Sequence, residues 1–140
     1  MNRIKSYLTF NGNCREAMIF YRGCLGGELH FLTLAESAAG MQLPEYMGSY
    51  ILQASLRASG IEIIATDIVP EEGWHCGNNI ALLMECQSLN ELLTVYRRLG
   101  KEGISYQRVV PAAGGNYIGT LKDKFGIRWM LHFDAQINGR

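Results

Sequence analysis

Hydrophobic and polar residues follow two patterns along the chain. In several short stretches they alternate, which is typical of a strand with one buried face. In two others the apolar residues recur every three or four positions, which is typical of an amphipathic helix. In the first half these patterns predict strand, helix and three more strands, at 3–10, 14–25, 28–35, 49–58 and 61–66. In the second half they predict the same order at 79–85, 89–100, 104–110, 117–121 and 127–133.

The ends of both helices carry recognisable signals. Asn13, followed three residues later by Glu16, predicts an N-cap with a capping-box partner for the first helix. Ser88 and Glu91 predict the same arrangement for the second helix. The pair Gly26–Gly27 is expected to end the first helix, because glycine adopts the left-handed conformation at little cost.

The two halves also share residues at matching places. Glu16 and Tyr21 recur as Glu91 and Tyr96, both at a spacing of 75 residues. A Gly-Ile pair precedes the last strand of each half, at 60–61 and 126–127. Together with the repeated order of elements, this predicts an α+β protein built from tandem βαβββ modules. The expected division is a first module at 1–67, a linker at 68–77 and a second module at 78–140, within one compact domain.

Composition narrows the possible partners. The 140 residues carry a formal net charge of 0, and no block of like charges suggests nucleic acid or an anionic membrane as a partner. No apolar run is long enough to span a bilayer, and no signal peptide is recognisable. The four cysteines have no zinc-site spacing, so ordinary buried or half-buried thiols in a reduced cytoplasmic compartment are expected.

Three stretches resemble a known family. They are YLTFNGNCREAMIFYRGCLGGEL at 7–29, GNNIALLMEC at 77–86 and TLKDKFGIRWML at 120–131. They resemble the PhnB-like branch of the vicinal oxygen chelate superfamily, which also holds glyoxalase I, the bleomycin-resistance proteins and extradiol dioxygenases. The resemblance implies that the two modules form a curled mixed sheet around a shared cavity, and it implies a homodimer.

The resemblance also implies positions for a divalent metal, on the first and last strands of each module. In this sequence those positions fall on Lys5, Ile64, Asn79 and Met130. An ammonium group and an aliphatic chain cannot bind a divalent metal, and an amide or a thioether binds one weakly. We therefore expect no metal and no other cofactor. Gln53 stands where members of this branch often have a histidine, which further weakens any transfer of activity.

A cavity lined by the more polar strand faces would combine polar and apolar groups. The cavity residues predicted in this way are Tyr7, Gln53, Glu62, Asn79, Arg128, Met130 and His132. Glu62 or His132 could act as a general base if burial shifted its pKa. Trp129 falls on the opposite, helix-covered face and is expected in the core.

Three functions remain open from the sequence. The first is a metal-independent protein that binds a small organic molecule. The second is a lyase or isomerase that uses a divalent metal held by unusual ligands such as Glu62, Gln53 and His132. The third is an interaction module whose cavity is filled by its own side chains.

Overall fold

The computed structural model of the protein describes residues 1–37 and 44–138. The chain divides into two compact units, Met1–His75 and Cys76–Arg140. None of the helices in the described ranges combines the length and apolar character that a bilayer crossing requires.

The first unit contains one long helix and one four-stranded mixed sheet. β1 runs parallel to β4, whereas the β4–β3 and β3–β2 pairs are antiparallel, so the strand order is β1-β4-β3-β2. Its elements are β1 (Ser6–Thr9), α1 (Cys14–Leu25), β2 (Glu28–Thr33), a 3₁₀-helix (Glu45–Met47), β3 (Ile51–Ala58) and β4 (Ile61–Thr66).

The second unit repeats this topology with the strand order β5-β8-β7-β6, again with one parallel pair, β5 with β8. Its elements are β5 (Leu82–Glu85), α2 (Leu89–Leu99), β6 (Ile104–Pro111), a 3₁₀-helix (Ala113–Gly115), β7 (Asn116–Lys122), β8 (Arg128–Asp134) and a short α3 (Ala135–Asn138). The predicted α+β fold and the βαβββ repeat are therefore confirmed.

Both units bury the sheet face that packs against their long helix. In β4 the buried residues are Ile63 and Ala65, and in β8 they are Trp129 and Leu131. The residues between them point away from the helix, which is the period-2 alternation of a strand. The expectation that Trp129 lies on the helix side is confirmed, and its indole Nε1 donates a 2.9 Å hydrogen bond to Asp123 Oδ2.

Two glycines at equivalent places explain how each helix connects back to its sheet. A Cβ on Gly27 would collide with the carbonyl oxygen of Arg57, and one on Gly103 would collide with that of Lys122. Only glycine allows the chain to approach the sheet this closely. The two units therefore share a packing detail as well as a topology.

The first helix is capped differently from the prediction. The Asn13 side chain makes no capping hydrogen bond. Instead, Oδ1 of buried Asp67 accepts from the backbone N–H of Gly12 at 3.0 Å and of Cys14 at 2.9 Å. Asp67 Oδ2 accepts from Ile51 N–H at 2.9 Å, so one carboxylate ties the end of β4 to α1 and β3.

The second helix begins as predicted. Ser88 Oγ accepts from Glu91 N–H at 3.0 Å, and Glu91 Oε1 accepts from Gln87 N–H at 3.3 Å. On its buried side, the Tyr96 hydroxyl donates to the carbonyl oxygen of Gln107 at 2.8 Å and also contacts Ser105 Oγ. The Tyr96 ring lies where a Cβ on Gly119 would fall, so this glycine leaves room for the ring.

Some predicted boundaries are wrong. The strand predicted at 79–85 begins only at Leu82, and Ile80 is exposed rather than on a buried face. The loop predicted at 36–48 contains the 3₁₀-helix at its end, and its residues 38–43 lie outside the described residues. Cys14, Cys24 and Cys86 are buried as expected, but Cys76 is exposed.

Candidate functional site

The second unit contains a cleft on the sheet face that points away from α2. Its volume is about 300 Å³. The segment before β5 supplies one wall, and β6, β7 and β8 supply the rest. The lining residues are Asn78, Asn79, Ile80, Ala81, Tyr106, Thr120, Leu121, Arg128, Trp129 and Met130. Apolar surface is thus combined with amide, hydroxyl and guanidinium groups, a composition typical of small-ligand sites.

Arg128, the first residue of β8, is the charged group in this lining. Its guanidinium carbon lies 4.6 Å from the centroid of the Tyr106 ring, and Nη2 donates to the Tyr106 hydroxyl at 3.2 Å. Its Nε is buried and has no hydrogen-bond partner among the described residues. Tyr106 therefore holds the guanidinium on one side, and some of the N–H donors of Arg128 have no acceptor among the described residues.

Tyr106 reaches Arg128 because β6 is irregular. The pairing of β6 with β7 shifts between Ser105 and Gln107, so Tyr106 is the extra residue of a bulge. Bulges re-aim side chains, and they are frequent beside functional sites. The Tyr96 hydroxyl, bonded to both flanking residues of the bulge, holds this irregularity in place.

Of the predicted cavity residues, the structure brings Asn79, Arg128 and Met130 together in this cleft. Tyr7, Gln53 and Glu62 belong to the first unit. Tyr7 is 63% exposed on β1, opposite Ile64, and Gln53 is exposed on β3, opposite Leu32.

Glu62 is surrounded by cations. Its carboxylate lies 2.8 Å from Arg3 Nη2, 3.0 Å from Lys5 Nζ and 3.2 Å from Arg57 Nε. The hydrogen bond from Lys5, with the positive charges around it, lowers the pKa of Glu62. A carboxylate with a lowered pKa is a weak base, so the geometry does not favour Glu62 as a general base.

His132 is half-buried on β8 and does not line the cleft. Its Nε2 lies 2.8 Å from Oδ1 of Asn116. The amide nitrogen of Asn116 donates to the carbonyl oxygen of Ala113 at 2.8 Å, which leaves Oδ1 as the acceptor facing the histidine. His132 Nε2 is therefore engaged with Asn116, outside the cleft.

The positions implied for a metal do not form a ligand set. The strand register places Ile64 opposite Tyr7 and Met130 opposite Leu83, while Lys5 and Asn79 precede their strands. The Lys5 ammonium is bound to Glu62. Within residues 1–37 and 44–138, no three His, Cys, Asp or Glu side chains lie close enough to share a metal ion. Of the four implied positions, the Lys5 ammonium and the Ile64 side chain offer no donor atom to a divalent metal.

Sequence reasoning missed several residues of the cleft. The residues that were not among the predicted cavity residues are Asn78, Ile80, Ala81, Tyr106, Thr120, Leu121 and Trp129. Thr120 could have been found from the alternation of β7, since it shares a face with residues that point away from α2. Tyr106 could not, because its orientation depends on a bulge.

The duplicated βαβββ topology and the polar sheet face opposite the helix define a protein of the glyoxalase/bleomycin-resistance fold. The sequence matches the family model described as 3-demethylubiquinone-9 3-methyltransferase over residues 2–132. Since this match covers most of the chain, the protein belongs to that family, the PhnB-like branch of the vicinal oxygen chelate superfamily.

Individual relatives agree with this assignment. The chain is 30% identical to Protein YjdN of Escherichia coli, over 95% of this chain and 96% of that protein. Protein PA1353 from Pseudomonas aeruginosa has a similar structure, with 26% identity, a TM-score of 0.85 and coverage of 96% and 98%. A putative 3-demethylubiquinone-9 3-methyltransferase, PhnB protein, from Bacillus cereus superposes with a TM-score of 0.71 at 22% identity, with coverage of 94% and 99%.

Proposed function

We propose that this protein binds a small organic molecule in the cleft of its second unit, without a metal ion. The observation that carries the proposal is the cleft itself: about 300 Å³, with Ile80 and Met130 among its apolar residues and Asn79, Thr120 and Arg128 as polar groups. Sites for small molecules typically combine apolar walls with a few fixed polar groups in this way, and this volume is at the small end of their range.

Binding is favoured over catalysis by the state of the two candidate bases. Glu62 is engaged by three cations, and His132 Nε2 is engaged by Asn116 Oδ1. Neither residue lines the cleft, so neither is placed to take a proton from a molecule bound there. For the same reason the lyase or isomerase hypothesis, with a metal held by Glu62, Gln53 and His132, has no supporting observation.

The methyltransferase activity in the family's description is not part of the proposal. Methyl transfer requires a donor molecule and an acceptor to be bound side by side. A cleft of about 300 Å³ matches one small ligand. The cleft also argues against the third hypothesis, an interaction module whose cavity is filled by its own side chains.

We also propose that the protein is a homodimer, as the superfamily resemblance implies. Each unit leaves large apolar side chains on the sheet face opposite its helix: Tyr7 and Leu32 in the first unit, Leu83 and Met130 in the second. Large apolar side chains exposed on the same sheet face are typical of a surface that a partner covers. A second copy of the chain is the proposed partner, and the mass in solution measured by light scattering tests it.

The binding proposal can be tested by a ligand-observed NMR screen of small neutral and anionic aromatic compounds against metal-free protein. Ala81 is exposed and lines the cleft, so Ala81→Trp should fill the cleft without disturbing the core. Ala112, exposed in the same unit and outside the cleft, provides the matched control Ala112→Trp. We expect compounds that bind the native protein and Ala112→Trp but not Ala81→Trp. Equal binding to both variants, or no binding by any compound, would contradict the proposal.

A further inference from the structure

Two positively charged residues face each other at one end of the cleft's sheet. Lys122 on β7 pairs with Arg128 on β8 in the antiparallel register, so their side chains emerge on the same face. Like charges directly opposite each other destabilise a strand pair. Neither residue has an ion-pair partner among the described residues.

The equivalent pair in the first unit has the opposite character. The register that aligns β3 and β4 with β7 and β8 matches Arg57 to Lys122 and Glu62 to Arg128. Arg57 and Glu62 form an ion pair at 3.2 Å. At the same place in the fold, the first unit supplies its own carboxylate and the second unit supplies a second cation.

The hydrogen bonding of Arg128 also indicates that this cation has no negatively charged partner among the described residues. A guanidinium has five N–H donors, and the only partner of Arg128 among the described residues is the neutral hydroxyl of Tyr106. A half-buried cation without a counter-ion is costly, because the ring and hydroxyl of Tyr106 replace only part of the hydration that burial removes. The adjoining lining groups, Asn79 and Thr120, are uncharged and can donate hydrogen bonds.

We propose that the ligand of this cleft carries an oxyanion, a carboxylate or a phosphate-type group, which binds Arg128 with Lys122 beside it. The rest of the ligand then lies along Ile80 and Met130. The planar fork of arginine suits either kind of oxyanion, because it can donate two parallel hydrogen bonds. This inference rests on the proposed function, since it names the chemical class of the molecule that the cleft binds.

Three probes of similar shape test it by calorimetry: 2-naphthoate, 2-naphthyl phosphate and the neutral 2-naphthamide. We expect at least one of the two anions to bind about 10- to 100-fold more tightly than the amide, the range for a hydrogen bond to a charged group. The tighter of the two anions distinguishes a carboxylate from a phosphate ligand. The preference should also weaken as salt is added, because screening weakens charge attraction.

Three variants assign this preference to residues. Arg128→Gln should abolish the preference for anions, and Lys122→Gln should reduce it. Arg108→Gln, an exposed residue of β6 outside the cleft, removes the same charge and should leave the preference intact. Lys122→Gln keeps the test decisive if loss of the Arg128–Tyr106 contact unfolds the first variant.

The outcomes separate the two proposals. If the amide binds in the Ala81→Trp-sensitive cleft as tightly as both anions, the cleft is a binding site but the oxyanion inference is wrong. A preference for anions that survives both Arg128→Gln and Lys122→Gln also overturns it. If no probe binds the native protein, the binding function and the oxyanion inference both fall.

Discussion

Replacing Asp67 with alanine tests the contact that organises the first unit. This carboxylate is 6% exposed and follows β4 directly. It accepts the N–H groups of Gly12 and Cys14 at the start of α1 and of Ile51 at the start of β3. Alanine at this position removes the acceptor that the start of α1 and the start of β3 share.

The cost can be worked from these bonds. Gly12 is exposed, so water can replace the carboxylate there. Cys14 and Ile51 are fully buried, so their N–H groups would remain unsatisfied. At about 1–3 kcal/mol for each orphaned donor, with the loss of a helix cap included, Asp67→Ala should destabilise the unit by about 4 kcal/mol. Asp67→Asn keeps one acceptor oxygen and should cost about 2 kcal/mol.

Urea unfolding and hydrogen exchange measure this effect. With an m-value of about 1–2 kcal/mol per molar urea, the unfolding midpoint of the first unit should fall by about 2–4 M in Asp67→Ala. Trp74 in the first unit, whose indole donates to the carbonyl oxygen of Thr9, gives a local fluorescence signal. Under native conditions, the amides of Cys14 and Ile51 should be the first to lose exchange protection in Asp67→Ala.

A matched control is available in the second unit. Among the described residues, Asp134 accepts only the N–H of Gln136, in an exposed hydrogen bond of 2.9 Å, so Asp134→Ala should cost under about 1 kcal/mol. The reasoning is refuted if Asp67→Ala loses no more stability than Asp134→Ala, or if Cys14 and Ile51 exchange at the native rate in the variant.

Three further predictions follow from other contacts. Gly119→Ala should destabilise the second unit by about 1–3 kcal/mol in urea unfolding, because its Cβ would collide with the Tyr96 ring; Ala112→Gly, at an exposed site, is the control. Dialysis against EDTA should leave the melting temperature unchanged within about 1 °C, and a loss of stability would reveal a bound metal. Burial raises the pKa of Cys14 to about 12 and of Cys86 to about 11, from 9.0. Because the unfolded thiols ionise first, stability should fall by about 1.4 kcal/mol per thiol between pH 8 and pH 10, and Cys14→Ala should lessen that fall.

The fold could be predicted from the sequence because its determinants are local. Alternation along each strand identified the buried faces, and Ser88 with Glu91 identified the start of α2 from residues three positions apart. The repeat added a second, independent copy of the same information. Local patterns and global topology agreed, as expected for a sequence that specifies one structure.

The capping of α1 could not be predicted, because its determinant is distant. Asp67 is 53 residues from Cys14, and the sequence predicted it only as the last residue of the first module, with no part in capping α1. Asn13 satisfied the local rule for an N-cap but lost to a buried carboxylate with better access to the same donors. A rule based on neighbouring residues cannot detect that competition.

The candidate site was predicted in part for a similar reason. Asn79, Arg128 and Met130 were found because strand alternation places them on the face away from the helix. Tyr106 was missed because a bulge sets its direction, and the engagement of Glu62 was missed because two of its three cations come from the segment before β1. Polarity thus identified the sheet face that carries the site. Tertiary contacts decided which polar groups on that face were available to a ligand.

The duplication explains why one unit is the better candidate for binding. In the first unit, Arg57 and Glu62 neutralise each other across β3 and β4, and Arg3 and Lys5 surround the same carboxylate. In the second unit, the equivalent strands carry Lys122 and Arg128, and the positions that match Arg3 and Lys5 by strand register are the neutral Asn79 and Ala81. On the same fold, the first unit therefore pairs its cations with Glu62, whereas the second unit leaves Lys122 and Arg128 without a carboxylate partner among the described residues, beside a cleft. Such a difference between two copies of one scaffold is expected if the first serves stability and the second serves recognition of an anion.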